Sequence, residues 1–136
     1  MKFINFLDHT FISNFFTSSL GSFSKVSGNN AGYANLTQNI IRISTSSTAV
    51  TLTPGFKSTT YNMYWKIWID INDDGDFTDA GEQVFDAINM SKTAVTGNLV
   101  LPIQAKIGKH RMRISMKYNG APTSCEAFSY GEVEDY

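Results

Sequence analysis

His110-Arg111-Met112-Arg113-Ile114-Ser115-Met116-Lys117-Tyr118 is the stretch that decides the fold. In an extended chain successive side chains point to opposite faces. His110, Met112, Ile114, Met116 and Tyr118 then share one face, and Arg111, Arg113, Ser115 and Lys117 share the other. That is the period of a strand with one face on a core and one toward water. Working outward, residues 61–71 are apolar on both faces, with Trp65, Ile67, Ile69 and Ile71 set against Tyr64 and Trp68. Such a run predicts a central strand covered on both sides. Residues 40–43 and 49–53 are two short β-rich runs separated by Ser44-Thr45-Ser46-Ser47, and Pro54-Gly55 follows the second. They predict a hairpin. Residues 84–88 and 99–103 add two more candidate strands. No window carries apolar residues at a 3.6-residue period between recognisable caps, so helix content is expected to be low. The expected fold is an all-β, two-sheet antiparallel β-sandwich, jelly-roll-like or immunoglobulin-like. Residues 1–11 read as an N-terminal extension and residues 12–136 as the sandwich domain.

Charge and composition exclude several classes of partner. Eleven Lys and Arg stand against twelve Asp and Glu, a net charge of −1 with no basic run, so the phosphate contacts that nucleic-acid binding needs are missing. No apolar stretch reaches the roughly 20 residues of a helical membrane span. The opening Met1-Lys2-Phe3-Ile4-Asn5-Phe6-Leu7 breaks at Asp8-His9, too soon for a signal-peptide core, so the chain reads as a mature fragment or an excised domain. Cys125 is the only cysteine, which rules out an internal disulfide and leaves the redox compartment undecided.

Chemistry concentrates in Asp70-Ile71-Asn72-Asp73-Asp74-Gly75-Asp76-Phe77-Thr78-Asp79-Ala80-Gly81-Glu82. Oxygen-bearing side chains alternate at 70, 72, 74 and 76, and a glycine stands sixth, where loops that wrap calcium make their sharp turn. A helix-flanked calcium loop would carry its bidentate Glu at position twelve. Here the twelfth residue is Gly81 and Glu82 comes one later, between flanks that read as strands. The expected ligands to a calcium ion are the side chains of Asp70, Asn72, Asp74 and Glu82. Asp76 would join by side chain or carbonyl and Thr78 through water, while Asp73 and Asp79 face solvent. The plainer reading is an acidic surface turn, since Asp, Asn and Gly favour turns for backbone reasons. Acids packed this densely repel one another without a cation, which favours calcium.

Trp68-Ile69-Asp70-Ile71-Asn72-Asp73-Asp74-Gly75-Asp76-Phe77, then Gly81-Glu82, then the closing Gly131-Glu132-Val133-Glu134-Asp135-Tyr136, together resemble the GEVED domain. The resemblance extends over about residues 12–136, taking in Gly32-Tyr33 and Arg111-Met112-Arg113. It implies a secreted β-sandwich accessory module of modular extracellular bacterial proteins, often placed beside peptidases or other hydrolases. Members often carry an early cysteine that pairs with the equivalent of Cys125. This chain has none, so Cys125 is expected to be a free thiol.

The remaining polar residues read more plainly. Glu132, Glu134 and Asp135 either extend the metal site, form a second one, or pair with Arg111 and Arg113 across a sheet. Paired carboxylates also serve glycoside hydrolysis, but no separated acid and base stands out, and neither His9 nor His110 sits in a nucleophile motif. Tyr33, Trp65 and Trp68 are candidates for contact with a sugar or protein ligand, and Tyr61, Tyr64 and Tyr118 add to the aromatic supply. By strand parity Trp65 and Trp68 face opposite ways. The function expected is that of a non-catalytic, calcium-binding module that adheres to an extracellular polysaccharide or protein. A purely structural spacer is the alternative, and a hydrolase ranks last.

Overall fold

The computed structural model describes residues 10–17 and 22–136. Nine strands are found among them: β1 (Thr10–Thr17), β2 (Phe23–Lys25), β3 (Tyr33–Asn35), β4 (Thr48–Phe56), β5 (Met63–Ile69), β6 (Gln83–Asp86), β7 (Val95–Leu99), β8 (Met112–Tyr118) and β9 (Gly131–Asp135). The described residues contain no helix. The strands form a four-stranded sheet in the order β2-β1-β4-β7 and a five-stranded sheet in the order β3-β9-β8-β5-β6. All pairings are antiparallel except β3 with β9, which is parallel. The chain is therefore the all-β sandwich the alternation predicted, with one parallel pair added.

The core lies between the sheets. Ile12, Phe15, Val50 and Leu52 from the smaller sheet face Trp65, Ile67, Ile114 and Met116 from the larger. β8 keeps its predicted parity, with Met112, Ile114 and Met116 buried in the core. β5 is central as expected, flanked by β8 and β6. Trp65 enters the core and Trp68, on the opposite face, is only 4% exposed.

Several expected elements fall elsewhere. Residues 40–43 form no strand, so the predicted hairpin is absent, and β4 instead pairs with β1 and β7. Pro54-Gly55 does not end β4. Pro54 stands opposite Ile12, next to a bulge at which Ser13 is skipped in the register; proline lacks a donor and is at home where the ladder is already broken. The strand expected at 99–103 is shifted to Val95–Leu99, because Pro102 cannot donate and Ile103 is fully exposed. β6 stops at Asp86, and Ile88 takes a positive φ of 66°. β1 begins at Thr10, two residues ahead of the expected boundary. The rest of the expected extension, with His9, lies outside the described residues.

Candidate metal loop and the groove beside it

Residues 70–82 join β5 to β6, and the base of the loop is closed by Ile69 N donating to Glu82 O at 2.9 Å. Asp70 and Glu82 stand at the two ends of that closure, both almost fully buried. Their carboxylates are taken up by backbone donors. Asp70 accepts from Asp74 N at 3.2 Å and Gly75 N at 3.0 Å. Glu82 accepts from Ile71 N and Asp79 N, each at 3.1 Å. Burial raises the pKa of Glu82 above the ordinary glutamate value, against the lowering effect of those N–H groups. These two acids hold the loop in shape.

Above that base a staircase of short turns aims the other side chains. Asn72 Oδ1 accepts from Asp74 N, Asp74 Oδ1 from Asp76 N, and Asp76 Oδ1 from both Thr78 N and Thr78 Oγ1, at 2.7–3.2 Å. Each is a side chain bonding its own backbone two residues on, the local preference of Asn and Asp. The backbone N–H of Asp76, and next the Asn72 amide, hold the Asp74 carboxyl below its usual range. The result is that carboxylate oxygens of Asp74, Asp76 and Asp79, all exposed, lie within 4.8 Å of one another. The Asn72 amide bridges two of them, donating to Asp74 Oδ2 at 2.9 Å and Asp79 Oδ2 at 2.6 Å.

The expected ligands lie at two levels of the loop. Asp74 and Asp76 reach the surface cluster, Asp70 and Glu82 lie at the buried base accepting from backbone donors, and Asn72 turns its amide nitrogen to the cluster. Asp79, solvent-exposed, completes the cluster. Three carboxylates with no nitrogen or sulfur donor form a set suited to a hard cation.

The loop is anchored to the outer face of the larger sheet. The Phe77 ring lies 5.2 Å from the Arg113 guanidinium. Arg113 grips Asp135 through two bonds of 2.6 Å and donates to Ser124 O at 2.9 Å. Tyr33 Oη donates to the same Asp135 at 3.0 Å. Among the acids and arginines that pairing across the sheet could join, Arg113 and Asp135 are paired.

Beside the loop is a groove of about 600 Å³, bounded by residues 35–45, residues 101–111 and the end of the larger sheet. Tyr33, Asp73, Lys106, Lys109 and Arg111 line it. His110 joins loop to rim, with Nδ1 at 3.0 Å from Asp73 Oδ1 and Nε2 at 2.9 Å from Lys106 O. Tyr33 thus lies at a concave surface, while Trp65 and Trp68, buried on either face of β5, are closed to any ligand. The exposed aromatic surface is elsewhere: Tyr118 and Tyr130 contact edge to face at 6.0 Å, and half-buried Tyr61 meets Tyr118 at 5.4 Å.

β9 carries the other acidic motif, and its placement is the larger surprise. Glu132 and Glu134 stand opposite Met116 and Ile114 in the ladder and so point into the sandwich, where both are fully buried. Glu132 accepts from Ile12 N, beside the β1 bulge, and from Asn30 N. Glu134 accepts from Tyr136 Oη at 2.8 Å. The sequence of this strand and of the loop is what a comparison with protein families recognises: the model of the GEVED domain matches residues 64–136, more than half of the chain. The chain belongs to the GEVED family. No curated protein and no solved structure matches it. The match begins inside β5 and takes in the acidic loop, β6 to β8, and the GEVED strand itself, which is β9.

In this GEVED domain the two motif glutamates are core residues rather than surface acids. Burial, joined by the charge of Glu134, pushes Glu132 up to about 7 despite the N–H donors on it, and burial raises Glu134 as well. The native state therefore holds protons that the unfolded chain, with Glu near 4.5, has released. Stability contributed this way is fully present below about pH 4.5 and is lost as pH rises toward 7. Urea titrations at pH 5 and pH 8 should show the wild type weaker at pH 8 by about 2–3 kcal/mol, and Glu132→Gln should flatten the difference. A wild type equally stable at both would contradict the burial of an ionisable pair.

Proposed function

We propose that the chain is a non-catalytic, calcium-binding accessory module of a secreted bacterial protein, and that it holds its parent on an extracellular glycan or protein. The observation that carries this reading is the convergence of Asp74, Asp76 and Asp79 on a loop whose shape is fixed by Asp70 and Glu82. An all-oxygen carboxylate set favours calcium over magnesium, which demands a near-ideal octahedron. The ion would neutralise charge that Asn72 only bridges, and would stiffen the loop that bounds the groove. Membership of the GEVED family supports the accessory role. The non-catalytic reading is supported by the fate of the buried acids: Asp70, Glu82 and Glu132 each accept from backbone donors, and none of the three lines the groove.

The test is retention of the purified domain on immobilised collagen and on insoluble polysaccharides, with millimolar calcium or with chelator. Retention that chelation removes is the expected result, alongside no turnover of peptide or glycoside substrates. Retention on none of the supports, or calcium-dependent hydrolysis, would overturn the reading.

A further inference from the structure

The run Ile40-Ile41-Arg42-Ile43 has the sequence of a strand and none of a strand's partners. It is set off by a turn in which Asn39 N and Asn39 Nδ2 both donate to Leu36 O, and by Ser44 N donating to Thr48 Oγ1 at 2.9 Å. Between them no backbone group of residues 40–43 bonds to another described residue. The side chains nevertheless alternate as in a strand: Ile40, 64% exposed, and Arg42 point outward, while Ile41 and Ile43 pack half-buried against the core. None of the four takes a positive φ. Backbone groups without protein partners must be left to water, and an extended run of them is an open edge, the feature that invites another strand.

This edge forms one wall of the groove, whose floor includes Ile69, Ile71, Leu101 and Met112. Its rim is unbalanced in charge. Of the two lining carboxylates, Asp135 is paired with Arg113 and Tyr33, while Asp73, 59% exposed and held by His110, is the one acid left at the rim. Lys106, Lys109 and Arg111 are exposed and make no ion pair with a described residue. Resting on the binding-module reading above, we propose that residues 40–43 take up an extended acidic peptide segment of a partner protein by strand addition in this groove. Main-chain bonds supply affinity in that mode, and alternate side chains supply specificity. A peptide offers donors and acceptors at strand spacing, which a pyranose chain does not. An aliphatic floor also suits apolar side chains better than sugar faces, which favour exposed aromatic rings.

The test uses the whole chain and four probes: a labelled hexapeptide of alternating Glu and Val, its Gln–Val counterpart, the acidic peptide with alternate amides N-methylated, and polygalacturonate. The acidic peptide should bind and should slow hydrogen exchange at the amides of residues 40–43. The Gln–Val and N-methylated forms should each bind about tenfold more weakly, a loss of roughly 1.4 kcal/mol. Lys106→Glu combined with Lys109→Glu should weaken the acidic peptide similarly while leaving the melting temperature unchanged. Peptide binding that leaves those amides unprotected, equal binding of the methylated form, or binding of polygalacturonate alone would overturn the inference. So would no binding by any probe. Retention on polysaccharide with indifference to peptides defeats this inference only; loss of retention on every support defeats the parent reading too.

Discussion

Gly131→Ala should unfold the domain or leave it barely stable. Gly131 has φ of 140°, a conformation L-residues rarely adopt, and a Cβ there would collide with the Met116 carbonyl oxygen and lie 2.7 Å from Phe128 Cε2. The carbonyl has nowhere to go, because Met116 is paired with Glu132 in the ladder between β8 and β9. Overpacking commonly costs 1–3 kcal/mol and the wrong φ adds to it, so a loss of about 3 kcal/mol or more is expected. The consequence reaches past one contact, since Gly131 opens the strand that carries Glu132, Glu134 and Asp135. Urea denaturation measures it directly. A variant within about 1 kcal/mol of wild type would mean that β9 does not sit as described.

Arg113→Ala should cost nearly as much. The guanidinium is 11% exposed and its partner Asp135 17%, and the pair is held bidentately. Removing one member of a buried pair typically costs 3–5 kcal/mol because the other charge is left behind, so about 3 kcal/mol is expected here. Three elements depend on this one side chain: Asp135 in β9, the carbonyl of Ser124, and the Phe77 ring of the acidic loop. Asp135→Ala in the same background should recover part of the loss, and the double-mutant cycle gives the coupling. Additive costs would show that the pair carries no energy of its own. Arg113→Lys should fall short of rescue, since an ammonium cannot reproduce the planar fork.

What could be read from the chain divides along physical lines. β8 and β5 were legible because their alternation records burial, which is a property of a strand once it lies against a core. Residues 40–43 show the limit of the same signal. β-branched residues favour an extended backbone, but a ladder also needs a partner, and β4 found β1 and β7 instead. For Glu132 and Glu134 the sequence leaves a metal site and cross-sheet pairing with Arg111 and Arg113 both open, and neither reading anticipates the core position the structure gives them. Their parity with Tyr136 held the contrary signal, and the bulge at Ser13 supplies the reason, since it leaves the neighbouring Ile12 N–H to be met by the Glu132 carboxylate. In the acidic loop the sequence marks the acids but not how the backbone sorts them: Asp70 and Glu82 are drawn to the buried ends, where backbone donors need acceptors, and Asp74, Asp76 and Asp79 are left at the surface.

The proposed calcium site rests on six acids within residues 70–82, of which three converge at the surface. The unfolded chain cannot assemble such a cage, so binding adds to stability by about 2.7 kcal/mol when free calcium is near 100 times the dissociation constant, and extracellular modules commonly bind at roughly 10⁻⁴–10⁻³ M. Thermal melting with chelator, with calcium and with magnesium is the most direct measurement. Calcium should raise the melting temperature by several degrees, magnesium should do so poorly, and Asp74→Ala combined with Asp79→Ala should erase the response; superimposable wild-type curves in chelator and in millimolar calcium would contradict the assignment.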